Sequence, residues 1–99
     1  MLIVVARIKA RAGRGDELEE VFSRMVDYVT ENEPETLTYI CSRSTTDPEQ
    51  FIFFERYTTQ KAFEHHSSSE QFQELAGSIQ GKVDGAVEIE TYEEVAGKF

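Results

Sequence analysis

The chain has no tryptophan, one cysteine, two prolines and two histidines, and its acids outnumber its bases nearly two to one. Each shortage excludes something. A lone cysteine, Cys41, cannot form an internal disulfide. No histidine or second cysteine stands at metal-ligand spacing from it, so it reads as a buried thiol. Ten Lys plus Arg against nineteen Asp plus Glu leave a net charge of −9. That charge repels phosphate backbones and anionic lipid, so no nucleic acid and no membrane surface is expected as a partner. Long apolar runs are missing too. The opening segment is apolar only from Leu2 to Ala6, with its charges following the run, which is too short for a signal peptide or a membrane span. The expected location is the cytoplasm. There is no nucleotide-binding glycine pattern, no GxSxG, no CxxC and no HExxH. Neither metal nor cofactor is expected: His65 and His66 have no third ligand at a recognisable spacing.

What is present is enough for a single domain over residues 1–99, with no linker or repeat. A chain of this length buries only about two thirds of its unfolded surface, so association with a second copy would help it. Leu2–Val5 reads as a strand buried on both faces, continuing through Arg7 to Arg11 until Ala12-Gly13-Arg14-Gly15 breaks it. Asp16 is expected to open a helix, with Glu19 completing a capping-box spacing. Leu18, Val21, Phe22, Met25 and Val29 form its apolar stripe, and it should stop near Asn32, ahead of Pro34. Leu37–Ser42 alternates as a second strand. Thr46–Glu49 is a turn, and Phe51–Tyr57 a third strand, paired with the second as a hairpin. Thr59 can cap a short helix through His66. Ser67-Ser68-Ser69 interrupts it, and Ser67 with Glu70 or Ser68 with Gln71 can start another helical piece striped by Phe72, Leu75 and Ile79. Val87–Tyr92 alternates as a fourth strand. The order β-α-β-β-α-β is the ferredoxin-like split pattern, an α+β fold with a four-stranded antiparallel sheet and two helices on one face. The first and third strands are apolar on both faces, so something must cover the sheet's second side. The economical cover is the same face of another copy, giving a homodimer through sheet faces.

The groups able to titrate near neutrality gather in Phe51–Phe72, FIFFERYTTQKAFEHHSSSEQF. His65 and His66 are adjacent and point about 100° apart on a helix. Phe63 and His66 share the apolar side, which turns His65 to solvent. His66 can be a structural histidine, or a general base on a phenolic or enolic hydroxyl. Glu55 interrupts a strand of Phe, Ile and Tyr, and a carboxylate there must be paired, exposed or shifted in pKa. Arg56 points to the opposite face, leaving Arg43 or Arg7 as partners. Tyr39, Phe51, Phe53 and Tyr57 can line an apolar pocket or simply be core. Arg7, Lys9 and Arg11 can bind an anion or form a solvated strand edge.

The same residues carry a resemblance. IVVARIKARAGRGDELEEVF, the hairpin ENEPETLTYICSRSTTDPEQFIFFERY and the segment AFEHHSSSEQF resemble, in order and spacing, the antibiotic biosynthesis monooxygenase family of dimeric α+β barrels. The resemblance implies a ferredoxin-like protomer paired sheet to sheet, with a ligand pocket between sheet and helices. It implies a monooxygenase that uses neither metal nor flavin and oxidises a small aromatic hydroxyl compound or quinol with dioxygen. Glu55 matches the family's acid at the end of the third strand, His66 its helix histidine, and Phe72 the aromatic after the serine. His66 would then be base or hydroxyl partner, and Glu55 would orient it or the substrate. Tyr39, Phe53, Tyr57 and Phe72 would bind a small apolar or aromatic ligand. Tyr57 stands where the family commonly has Trp, and Glu35 where it has Gly. Related haem-degrading enzymes resemble the chain less, because Ala6, His66 and Ala76 occupy the positions of their Asn, Trp and haem-ligating His. Two alternatives remain: a non-catalytic small-ligand-binding or stress-associated dimer, and an isomerase acting on a phosphorylated signalling ketone. The isomerase would need Arg7, Lys9 or Arg43 pointing inward.

Overall fold

The computed structural model describes residues 1–99. Strand β1 (Leu2–Lys9) leads to helix α1 (Gly15–Asn32), then β2 (Thr36–Arg43), β3 (Gln50–Tyr57), α2 (Gln60–Ser68), α3 (Glu70–Gly77) and β4 (Glu88–Glu93). The four strands form one sheet in the order β2-β3-β1-β4, and every neighbouring pair is antiparallel. This is the expected ferredoxin-like α+β fold, with its second helix in two pieces. No helix is long and apolar enough to cross a membrane.

The alternation of β1 and β3 sorts their side chains onto two faces. Val4, Ala6 and Ile8 of β1, with Phe51, Phe53, Glu55 and Tyr57 of β3, are buried on the helix side. Against them α1 lays Leu18, Val21, Phe22, Met25 and Val29, the stripe expected from its periodicity. Phe22 packs edge-on to both Phe51 and Phe53, with ring centroids 5.2 and 4.9 Å apart. Burying each such ring contributes about 2–3 kcal/mol. On the other face Ile40, Phe54 and Val5 run in one row across three strands, and Ile40, Ile52, Phe54 and Tyr92 are exposed. The C-terminal residues cross part of this face: Arg56 donates hydrogen bonds to Glu94, and its guanidinium sits 4.4 Å from the Phe99 ring centre.

Helix starts differ from expectation at two places. Helix α1 begins at Gly15 without a side-chain cap, and Asp16 instead receives Arg43, which also reaches Glu19 and the Pro48 carbonyl. The crossing explains Gly15: a Cβ there would lie 2.6 Å from the Pro48 carbonyl oxygen. In the serine run, Ser67 and Ser68 donate back to the carbonyls of Phe63 and His65 and so remain in α2. Ser69 is the residue that breaks the helix. Its backbone is extended, at φ −64° and ψ 143°, and its hydroxyl accepts the Phe72 N–H to start α3. Helix α2 begins as expected, with the Thr59 hydroxyl accepting the Ala62 N–H.

Candidate active site

Between the inner sheet face and the three helices lies a cavity of about 330 Å³. Its wall is mostly apolar: Phe22 and Met25 from α1, Val4, Ala6 and Ile8 from β1, and Phe72, Ala76 and Ile79 from α3 and beyond. Every residue of β4 is exposed, so the inner face is left uncovered along that edge, where Ile89 and the preceding Val87 form the rim. Tyr39, Phe53, Glu55, His66 and Phe72 all line the cavity. Residue Tyr57 does not. It is completely buried behind Glu55, so the expectation that it touches a ligand is corrected, and Phe63 lines the wall instead. The face of β3 that looks at the helices is that of Phe51, Phe53, Glu55 and Tyr57.

His66 is 2% exposed and sits among aromatic rings, 4.5 Å from Phe72, 5.1 Å from Tyr39 and 5.8 Å from Tyr57 between centroids. Its Nδ1 lies 2.8 and 3.0 Å from the two carboxylate oxygens of Glu33. A carboxylate only accepts, so Nδ1 carries the proton and Nε2 presents a lone pair. Burial holds the His66 pKa below the ordinary histidine value, and the Glu33 hydrogen bond offsets part of that effect. The neutral ring is therefore the form present at neutral pH. His65, on the same helix, is exposed, as its orientation predicted.

Glu33 was not anticipated as a site residue. It occupies the C-terminal cap of α1 with φ −124° and ψ 78°, outside the helical region that Pro34 disfavours for the residue before it. Its backbone N–H still reaches the Val29 carbonyl, while its carboxylate also accepts a 2.8 Å bond from the Thr36 hydroxyl. A sequence signal was available. An acid at a helix C-terminus opposes the helix dipole, and such a placement asks for a compensating partner.

Glu55 is 5% exposed, and the Tyr57 hydroxyl donates to its Oε1 at 2.6 Å. Burial pushes its pKa up to about 7; the Tyr57 bond opposes the rise and the Glu33 charge adds to it. The cations considered as its partners are engaged elsewhere, Arg43 with Asp16 and Glu19, and Arg7 with Glu90. Nor does Glu55 bond to His66, so the orienting contact to that ring is made by Glu33. Cys41 is half-buried beside the core, and burial raises its thiol pKa to about 11, so it stays protonated. Lys9 is tied to Asp47 outside the cavity, and no lysine or arginine lines the wall. The inward cation that the phosphorylated-ketone alternative requires is thus missing. No three metal-ligating side chains converge anywhere in the chain.

The family model described as antibiotic biosynthesis monooxygenase matches residues 1–78. Among solved structures, the chain is similar to a candidate antibiotic biosynthesis monooxygenase from Caulobacter crescentus CB15, at 29% identity and a TM-score of 0.90, covering 96% of this chain and 90% of that one. It is similar in fold to the corresponding candidate from Deinococcus radiodurans, at 18% identity and a TM-score of 0.88, covering 100% and 97% of the two chains. Rv0793 from Mycobacterium tuberculosis also shares the fold, at 19% identity and a TM-score of 0.86, with 97% and 96% covered. No curated protein sequence matches the chain.

Proposed function

Because the chain belongs to the antibiotic biosynthesis monooxygenase family, we propose that it oxidises a small aromatic hydroxyl compound or quinol with dioxygen, using neither metal nor flavin. The observation that carries this reading is His66: a neutral imidazole, anchored at Nδ1 by Glu33, in the wall of an otherwise apolar cavity. Nε2 makes no hydrogen bond within the protein and is not sealed away. It is placed to take a proton from a bound hydroxyl, and the apolar wall excludes water that would compete for it.

The chemistry then belongs largely to the substrate. Deprotonation by Nε2 gives an aryl oxide, which passes one electron to dioxygen. The resulting superoxide and aryloxyl radical combine at a ring carbon bearing hydrogen. The C–H proton passes to the terminal oxygen as the O–O bond breaks, which forms a ring carbonyl and expels hydroxide; the hydroxide takes the proton held by His66 and leaves as water. The substrate loses two hydrogens and gains one oxygen, and the second oxygen atom becomes water. Tyr39, Phe53 and Phe72 would hold the ring. The same reading makes the working form a homodimer joined through the exposed apolar sheet faces.

Oxygen uptake with anthrone and naphthalene-1,4-diol, corrected for autoxidation, tests the reading. Uptake above background is expected in EDTA-treated protein, and His66→Gln should lower it about a hundredfold or more. Rates equal to background across the panel would instead favour a binding protein, and an unchanged His66→Gln rate would remove the base.

A further inference from the structure

Apart from Ser67 and Gln73, which donate to backbone carbonyls, two polar groups lining the cavity are not used by the reaction scheme above. Tyr57 occupies only one oxygen of Glu55, leaving Oε2 without a protein partner. The hydroxyl of Tyr39 likewise makes no hydrogen bond, and neither atom is a sealed, unpaired group. Tyr39 and Glu55 are register partners on neighbouring strands and project from the same face of the sheet into the cavity. His66 enters from α2 on the opposite wall, with the Tyr39 ring 5.1 Å from its own. Open polar atoms are rare here, because thirteen of the seventeen lining residues are hydrophobic. A few polar atoms converging on an apolar cavity are what fixes a ligand's orientation and identity.

We infer that Tyr39 and Glu55 form a second oxygen-binding subsite, which selects an uncharged planar substrate carrying a second oxygen function besides the hydroxyl that meets His66. The inference rests on the reading of His66 as the base for a bound hydroxyl. Tyr39 donates to the second oxygen: burial and the charges of Glu55 and Glu33 hold its pKa well above the ordinary tyrosine value, so it remains a donor. Glu55 Oε2 accepts from that oxygen when it is a hydroxyl. An anionic substituent is rejected, because Glu55 lines this end of the cavity with Tyr39 and neutral His66, Glu33 stands behind His66, and no lysine or arginine lines the cavity to balance a charge. A compound lacking the second oxygen leaves Tyr39 and Glu55 desolvated and unpaired.

The test is anaerobic calorimetric titration with naphthalene-1,4-diol, 1-naphthol and 1,4-dihydroxy-2-naphthoate. The diol should bind about tenfold or more tightly than either comparison compound. Tyr39→Phe, shown to be folded by a circular dichroism spectrum matching the parent, should bring the diol to within about threefold of 1-naphthol. Glu55→Gln should improve binding of the carboxylated compound. Equal binding of diol and 1-naphthol to the parent protein, no binding of the diol, or a ratio unaffected by Tyr39→Phe would each overturn the inference. Because dioxygen is absent, a preserved preference without catalytic oxygen uptake would sink the proposed reaction alone. Oxygen uptake with 1-naphthol as fast as with the diol, and equal binding, would sink the subsite alone.

Discussion

His66 and Glu55 have opposite proton preferences within one cavity. His66 has its pKa lowered by burial, so its neutral form is favoured in the folded state. The stability this contributes is complete above the unfolded value of 6.5 and is lost as pH falls through the folded value. Glu55 has its pKa raised from 4.5 to about 7, so its contribution is complete below 4.5 and fades as pH rises through about 7. Glu55→Gln should therefore flatten the loss of stability between those two values, measured by denaturant unfolding at a series of pH; a slope identical to the parent would contradict the assignment. In catalysis the base must be neutral, so kcat/KM should fall on an acid limb below 6.5. Glu33→Gln removes a group that raises the His66 pKa, so that limb should move further to acid, and kcat should drop about ten- to a hundredfold as the ring loses its anchor. A limb that stays in place would separate Glu33 from His66. At this scale the sequence disclosed the histidine and the strand acid but not the group that anchors the histidine. Glu33 stands far from His66 along the chain, and no local spacing reports a contact made by tertiary packing.

Most elements were legible because they follow simple periods. The α1 stripe and the apolar character of both faces of β1 and β3 appear in the fold as read. Where the reading failed, the failure was between competing local signals. Three consecutive serines offer several cap positions of nearly equal merit, and the choice of Ser69 is made by its extended backbone at the α2–α3 break. Asp16 carries a cap-like spacing, but Arg43 from β2 captures its carboxylate. The cap at Ser69 holds α3, which has no fully buried residue yet supplies Phe72 to the ring cluster around His66. Ser69→Ala should cost about 1 kcal/mol. Thermal unfolding measures this directly, and an unchanged midpoint would show that packing alone sets the helix start.

Over the whole molecule, the outer sheet face is the feature that a single chain does not resolve. Phe54 is 41% exposed in the row it shares with Ile40 and Val5, and Arg56 with Glu94 and Phe99 borders the groove below the C-terminal residues. The apolarity of this face was apparent from β1 and β3 alone, since neither strand alternates cleanly. Phe54→Glu should shift a homodimer to monomer in light scattering without changing the α1 core; a monomeric parent protein would contradict the proposed assembly. The location of the cavity was also partly apparent, because the family resemblance implied a ligand pocket between the sheet and the helices. What periodicity does not report is volume, or which polar atoms remain open inside it.

The central claim is that His66 starts oxygen insertion by taking a proton from a bound hydroxyl, and isotope incorporation tests it most directly. Under isotopically labelled dioxygen, with naphthalene-1,4-diol and metal-depleted protein, the account predicts one labelled oxygen per product molecule and the other in water. His66→Gln, folded by circular dichroism, should lose that product. Label no greater than in the protein-free control, or label undiminished in the His66→Gln variant, would contradict it.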